Sequence, residues 1–290
     1  MPRAAGVPVS LVSARTRDGV VLDGAAAHPR GRRGTALLWV HGLGSTFSSG
    51  QPLIRALSAG LNAAGLGYVK LNTRGHGVVT RAGGRLAGAA FERFGESVHD
   101  LRAAIALAVA SGYRRVILAG HSTGANKVLH YMARTRDRRV AGLILLGPVS
   151  DIAGERKRIG RRVLARRVAA AQRIARRDPE ALVPRAWGFR SAARFVSLFR
   201  PGEAEDVFPY YRPDADWRAL GRIRVPTAVI VGGRDEYLDR RATELVAAFE
   251  RHAGATRGFT GIVVPRASHG FRGHEAALAR QVVRWARRIG

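Results

Sequence analysis

Short apolar runs alternate along the chain with longer stretches whose apolar residues recur at i, i+3 and i+4. TALLWVHG (35–42), GYVKLNTRG (67–75), RRVILAGHS (114–122), VAGLILLGP (140–148), PTAVIVGGRD (226–235) and GIVVPRASH (261–269) read as strands. Each is a run of apolar or β-branched residues, and most give way to glycine, as a strand buried on both faces should where it meets a loop. The opening VPVSLVSARTRDGVVLDGAAA (7–27) fits a hairpin with Asp18-Gly19 at its turn. Helical periodicity fills 52–65, 96–112, 124–136, 239–254 and 275–290, several of these closing on a glycine C-cap. The alternation predicts an α/β protein with a mostly parallel, doubly wound sheet of about eight strands. At 290 residues and 46% hydrophobic, the whole chain (1–290) is expected to form one domain.

Residues 151–215 break the rhythm. They hold Arg156, Lys157, Arg158, Arg161, Arg162, Arg166, Arg167, Arg173, Arg176 and Arg177, followed by aromatics from Trp187 to Tyr211. A strand-to-helix loop normally takes about 2–6 residues, so length alone points to an inserted, basic helical lid. Its aromatics, such as Trp187 and Phe195, are expected either to wall a substrate pocket or to fill the lid's own core.

Composition changes the picture in two respects. The chain has no cysteine, which excludes disulfides, thiolate catalysis and cysteine-based zinc sites. Its 49 Lys and Arg against 21 Asp and Glu give a formal charge of +28, a field that attracts anions. Lysines occur only at 70, 127 and 157, and the arginines are spread along the chain rather than gathered in one arm with interleaved aromatics. That distribution argues against dedicated nucleic-acid binding and is compatible with an anionic small-molecule substrate. No stretch nears the roughly 18 apolar residues of a membrane span. The N-terminal segment lacks the apolar region and cleavage site of an export signal, so the expected location is the cytoplasm.

The candidate chemistry begins at Gly120-His121-Ser122-Thr123-Gly124. A strand entering G-x-S-x-G and leaving as a helix is a nucleophile elbow, which lifts the serine Oγ above the sheet edge. Serine needs a base to take its proton and a carboxylate to orient that base, and on such a sheet they follow in the order Ser, acid, His. Asp235, after the strand of AVIVGGRD, is the expected acid, with Glu236, Asp239 and Asp151 as competitors. Asp239 reads more naturally as the cap of the following helix. His269, after the strand of GIVVPRASH, is the expected base, with His274 as its neighbour. Oxyanion donors are expected from the backbone N–H of Thr123 and of Leu43 in WVHGLGST, Gly44 being the alternative. The spacing of the histidines supports no metal site, and no cofactor is expected.

The segments HGLG, NTRGHG, GHSTG, VGGRD and ASHG, in that order over about residues 16–290, resemble the α/β-hydrolase superfamily. Arg74-Gly75-His76-Gly77 matches a family loop that often reads D-x-R-G-x-G, with Asn72 where aspartate is common. GHSTG, VLHYM and GPVSD together are similar to the esterase group that includes fungal siderophore ester hydrolases. The resemblance implies a serine hydrolase of carboxylic esters or related acyl bonds. Thioesterase, lactonase and acyltransferase chemistry remain open on the same residues, as does a non-catalytic ligand-binding role.

Overall fold

The computed structural model describes residues 6–31 and 33–290. Residues 1–5, where the segment read for an export signal begins, lie outside the described residues. β1 (Ser10–Arg15) and β2 (Val21–Ala27) form the opening hairpin, followed by β3 (Thr35–Val40), α1 (Gln51–Ala63) and β4 (Gly67–Leu71). A small hairpin of β5 (Thr80–Ala82) and β6 (Arg85–Ala87) leads to α2 (Ser97–Ala110), β7 (Arg115–His121), α3 (Thr123–Thr135) and β8 (Val140–Leu146). The excursion that follows carries α4 (Asp151–Ile159), α5 (Arg161–Arg177), α6 (Ala192–Phe199) and α7 (Arg218–Gly221). β9 (Thr227–Gly232), α8 (Ala242–His252), β10 (Phe259–Val264) and α9 (Glu275–Ile289) complete the chain.

The large sheet has eight strands in the order β1-β2-β4-β3-β7-β8-β9-β10, antiparallel at β1 and β2 and parallel elsewhere. Every residue of β3, β4 and β9 is buried, which explains why these strands read as unbroken apolar runs. One face packs Leu101, Ile105, Val128, Leu129, Leu245 and Phe249 of α2, α3 and α8 against the strands. The other packs Leu57, Leu61, Leu278, Val282 and Trp285 of α1 and α9 against Leu37, Trp39, Tyr68 and Ile117. The parallel strands bring their carboxyl ends to one edge, where such sheets hold their sites.

Two local features differ from the sequence expectation. The β5–β6 hairpin turns on Gly83-Gly84, both with positive φ (56° and 78°), a pair suited to a two-residue hairpin turn. Helix α8 begins only at Ala242, and Asp239 does not cap it. Asp239 instead pairs with Arg240 at 2.8 Å, while Glu244 reaches back to the Arg241 N–H and closes the helix start.

The segment between β8 and β9 packs around its own apolar cluster of Ile152, Leu164, Val168, Ala171, Phe195 and Phe199, among others. Phe195 is wholly buried there, its ring 5.5 Å from Trp187 and 4.8 Å from Phe199, and so fills this cluster. Arg161, Arg162, Arg166, Arg173, Arg176 and Arg177 on α5 are exposed, opposite the buried Leu164, Val168 and Ala171. Among the described residues, no helix is long and apolar enough to cross a membrane.

Candidate active site

β7 passes into α3 through Ser122, whose backbone sits at φ 55° and ψ −127°. A non-glycine residue in such a region costs about 1–3 kcal/mol and persists only where its surroundings enforce it. The enforcement is steric. A Cβ at Gly120 would lie 2.2 Å from the Gly124 carbonyl oxygen, and one at Gly124 would lie 2.2 Å from that of Val40. The two glycines thus let strand, elbow and helix pack backbone to backbone. Ser122 donates its own N–H to Leu146 O at 2.9 Å, which fixes the elbow to the end of β8.

Asp235 and His269 come from the turns after β9 and β10 and meet at 2.8 Å, Oδ2 to Nδ1. The Asp235 side chain is fully buried, and its Oδ1 accepts the Tyr237 N–H at 3.0 Å. Glu236 serves a different purpose: its carboxylate accepts the backbone N–H of His269 at 2.9 Å and so holds the loop. Asp151 does not pair with the His269 ring. Burial and then the neighbouring Glu205 push its carboxyl up to about 7, which suits it poorly as a fixed anion. His274 stands just before α9, its Nδ1 on the Arg272 carbonyl at 3.1 Å.

The His269 ring lies between Tyr237, edge-on at 4.7 Å, and His121 at 4.9 Å. His121 Nε2 donates to the His269 carbonyl at 2.9 Å, and burial pulls its pKa down to about 4, keeping it neutral. Ser122 Oγ makes no hydrogen bond to His269. Gly147, just past β8, lies against the imidazole, where an added Cβ would be 3.0 Å from His269 Cε1. Hydrogen bonds of this kind often tighten only with substrate bound.

The HGLG loop closes the other side of the serine: a Cβ on Gly42 would lie 3.0 Å from Ser122 Cβ. Among the described residues, neither the Leu43 nor the Thr123 N–H donates to a protein acceptor. His41 Nδ1 donates to the Gly42 carbonyl at 2.9 Å, and Thr73 donates its N–H to His41 Nε2 at 2.9 Å, which fixes the tautomer. Since a trans peptide directs its C=O and N–H oppositely, this bond turns the Leu43 N–H away from His41. Burial, and then the Lys127 charge, hold His41 down at about 3.

Behind Thr73 stands a buried ionic chain. Lys127 Nζ donates to Thr73 Oγ1 at 3.0 Å and lies 2.6 Å from Glu92, whose other oxygen is 3.6 Å from Arg194 on α6. Arg194 also pairs with Glu205 and donates to the Ala89 carbonyl at 3.2 Å. The neighbouring loop is tied down by Arg74, bonded to Asp100, Glu96 and Asp18, and by Asn72 Oδ1, which accepts the Phe47 N–H at 2.7 Å. The sequence left Lys127 without an assigned role and did not single out Thr73, Glu92 or Arg194. The available signal was a lysine set between the apolar positions Ala125 and Val128 of a predicted helix. Among the described residues, no group of three His, Cys, Asp or Glu side chains could hold a metal ion.

Residues 23–286 match the family described as "Protein of unknown function (DUF1749)". The chain belongs to that family. No curated protein matches its sequence. Among solved structures it is similar to the siderophore hydrolase EstB from Aspergillus fumigatus, at TM-score 0.68 and 21% identity over 100% of this chain and 99% of that one. It is likewise similar to the Pyrococcus furiosus esterase Pf2001, at TM-score 0.66 and 20% identity over 100% and 97%. A third is Est1E from Butyrivibrio proteoclasticus with ferulic acid bound, at TM-score 0.66 and 16% identity over 96% and 98%. These likenesses establish the α/β-hydrolase fold for this member of the family.

Proposed function

We propose that this protein is a serine hydrolase of carboxylic esters acting through an acyl-enzyme. The observation that carries the reading is the buried Asp235–His269 pair at 2.8 Å, set beside a serine held at positive φ. Ser122 Oγ attacks the ester carbonyl while His269 Nε2 takes its proton; the carbonyl π electrons move to oxygen, and the Leu43 and Thr123 N–H groups receive that oxyanion. Collapse expels the alcohol, protonated by His269, and leaves an ester on Ser122. Water, deprotonated by the same imidazole, repeats the sequence and releases the acid. Asp235 orients the ring and balances its transient charge. Residues 151–215 act as a lid that limits which esters reach the serine. The esterase and hydrolase names of the structural neighbours support this class of chemistry.

The test is labelling by a fluorophosphonate together with hydrolysis of p-nitrophenyl esters of rising chain length. The wild-type protein should label and turn over, and Ser122→Ala should do neither. Ligand binding that persists without any labelling of the wild type would instead make this a non-catalytic member of the fold. Faster turnover of acyl-thioesters than of oxygen esters would move the reading to a thioesterase.

A further inference from the structure

The exposed arginines of α5 point to solvent, so a cation within the body of the protein is a better candidate for recognising an anion. Lys70 is such a cation. It lies on β4, 4% exposed, and lines a cavity of about 520 Å³. Gly42 and His121 line the same cavity, and both adjoin Ser122: Gly42 packs against its side chain, and His121 precedes it on β7.

Lys70 Nζ donates to the Ser49 carbonyl at 2.7 Å, and among the described residues it forms no ion pair. Buried charges are ordinarily paired, because an uncompensated ammonium loses its hydration without return. Burial accordingly pulls the Lys70 amine down to about 8. Tyr68, two residues earlier and on the same face of β4, is 2% exposed and also lines the cavity. Among the described residues its hydroxyl has no hydrogen-bond partner. A buried ammonium with donors to spare and a buried phenol with none of its capacity used thus face one cavity.

The other titratable groups of the cavity are His41, His121, Arg272 and Glu275. Both histidines are neutral, as argued above. Glu275 stands in the first turn of α9, where the helix N-terminus favours a carboxylate, and makes no ion pair with Lys70. Lys70 and Arg272 therefore stand against one anion, and the cavity lacks a second. Two donors, one ammonium and one hydroxyl, match the two oxygens of a carboxylate.

We propose that this cavity is a carboxylate-binding subsite in which Lys70 and Tyr68 hold the free carboxylate of an acidic ester whose scissile carbonyl lies at Ser122. The proposal rests on the hydrolase reading above and names its substrate class. The probes are p-nitrophenyl valerate and mono-p-nitrophenyl glutarate, which differ by a terminal methyl against a terminal carboxylate. Wild type should favour the glutarate ester in kcat/KM. Lys70→Met should lower the glutarate-to-valerate ratio by roughly tenfold or more, and Tyr68→Phe by roughly two- to tenfold. The ratio cancels any general loss of activity. Lys70→Arg, which keeps the charge, should retain part of the preference. A Lys70→Met ratio within twofold of wild type would overturn the proposal, as would non-competitive inhibition of valerate hydrolysis by free glutarate.

Calorimetric titration with glutarate separates this proposal from the reading beneath it. Wild type and Ser122→Ala should both bind glutarate, and Lys70→Met should not. Ester turnover lost in Ser122→Ala, with no glutarate binding to wild type, would sink the subsite and leave the hydrolase standing. Glutarate binding through Lys70 with no Ser122-dependent turnover of any ester would sink the hydrolase reading and leave an anion site.

Discussion

Lys127 on α3 sets its ammonium 2.6 Å from Glu92, and both side chains are 1% exposed. Removing one partner of such a pair strands the other in a medium that cannot solvate it, at a cost of about 3–5 kcal/mol. Lys127→Met should therefore lower the unfolding free energy in urea by about that amount, tempered by the Arg194 contact that Glu92 keeps. The double variant Lys127→Met/Glu92→Gln should recover much of the loss. Simple additivity of the two single effects would show that the pair is not coupled.

Thr73 links that ion pair to the HGLG loop, the proposed oxyanion loop, through its bonds to Lys127 and His41. Thr73→Val keeps the backbone donor to His41 but removes the hydroxyl. Its effect should fall on kcat by about tenfold, short of the roughly 10²–10³ expected when an oxyanion donor itself is lost. KM for a short p-nitrophenyl ester should stay within about threefold; a change confined to KM would point to substrate binding instead.

Ser122 trades stability for geometry. Ser122→Gly should abolish turnover while raising the unfolding free energy by about 1 kcal/mol, because glycine occupies φ 55° without the strain a Cβ brings. A destabilised Ser122→Gly would mean that the elbow holds little strain.

The two adjacent acids after β9 should separate by kinetics. Asp235→Asn removes the carboxylate that orients His269 and should lower kcat about 10⁴-fold. Glu236→Gln retains an oxygen that can accept the His269 N–H and should cost about tenfold or less. Equal losses would indicate that Glu236 does more than hold the loop.

His41, His121 and His130 have pKa values depressed by burial to about 3, 4 and 4, from an ordinary value of about 6.5. Between those limits the unfolded chain binds more protons than the folded one, so stability rises with pH through the window and is lost as pH falls. Each histidine contributes at most about 1.4 kcal/mol per pH unit. Tm should drop steadily from pH 7 to pH 4, and His130→Asn should flatten the lower part of that curve. A Tm that is level across this range would contradict the buried, neutral state of these side chains.

The strands and the long helices were legible because each is a local pattern: an unbroken apolar run is buried on both faces, and a 3.6-residue period has one buried stripe. The β5–β6 hairpin escaped because its strands are three residues each, too short for alternation to register, although Gly83-Gly84 advertised the turn. Ser122, Asp235 and His269 could be put forward as candidates because each follows a strand end in fixed chain order. Glu92, Lys127 and Arg194 were not, since their pairing joins three distant segments through tertiary packing alone. Lys70 lay inside an expected strand as an ordinary alternating residue, and only the cavity beside it makes its charge conspicuous. The same limit applied to the arginines of α5, whose outward direction follows from how that helix packs.

The excursion between β8 and β9 has an apolar cluster of its own, and one of its helices carries Arg194 into the ionic chain that reaches Thr73 and, through it, His41. Its later residues Val207, Phe208, Tyr210, Trp217 and Leu220 nevertheless pack into the sheet's own core, and Asn126 and the Leu238 carbonyl bind it by hydrogen bonds. A change on the solvent face of α5 therefore leaves the sheet untouched, whereas one at Phe208, Tyr210 or Leu220 of the same excursion reaches the sheet's core.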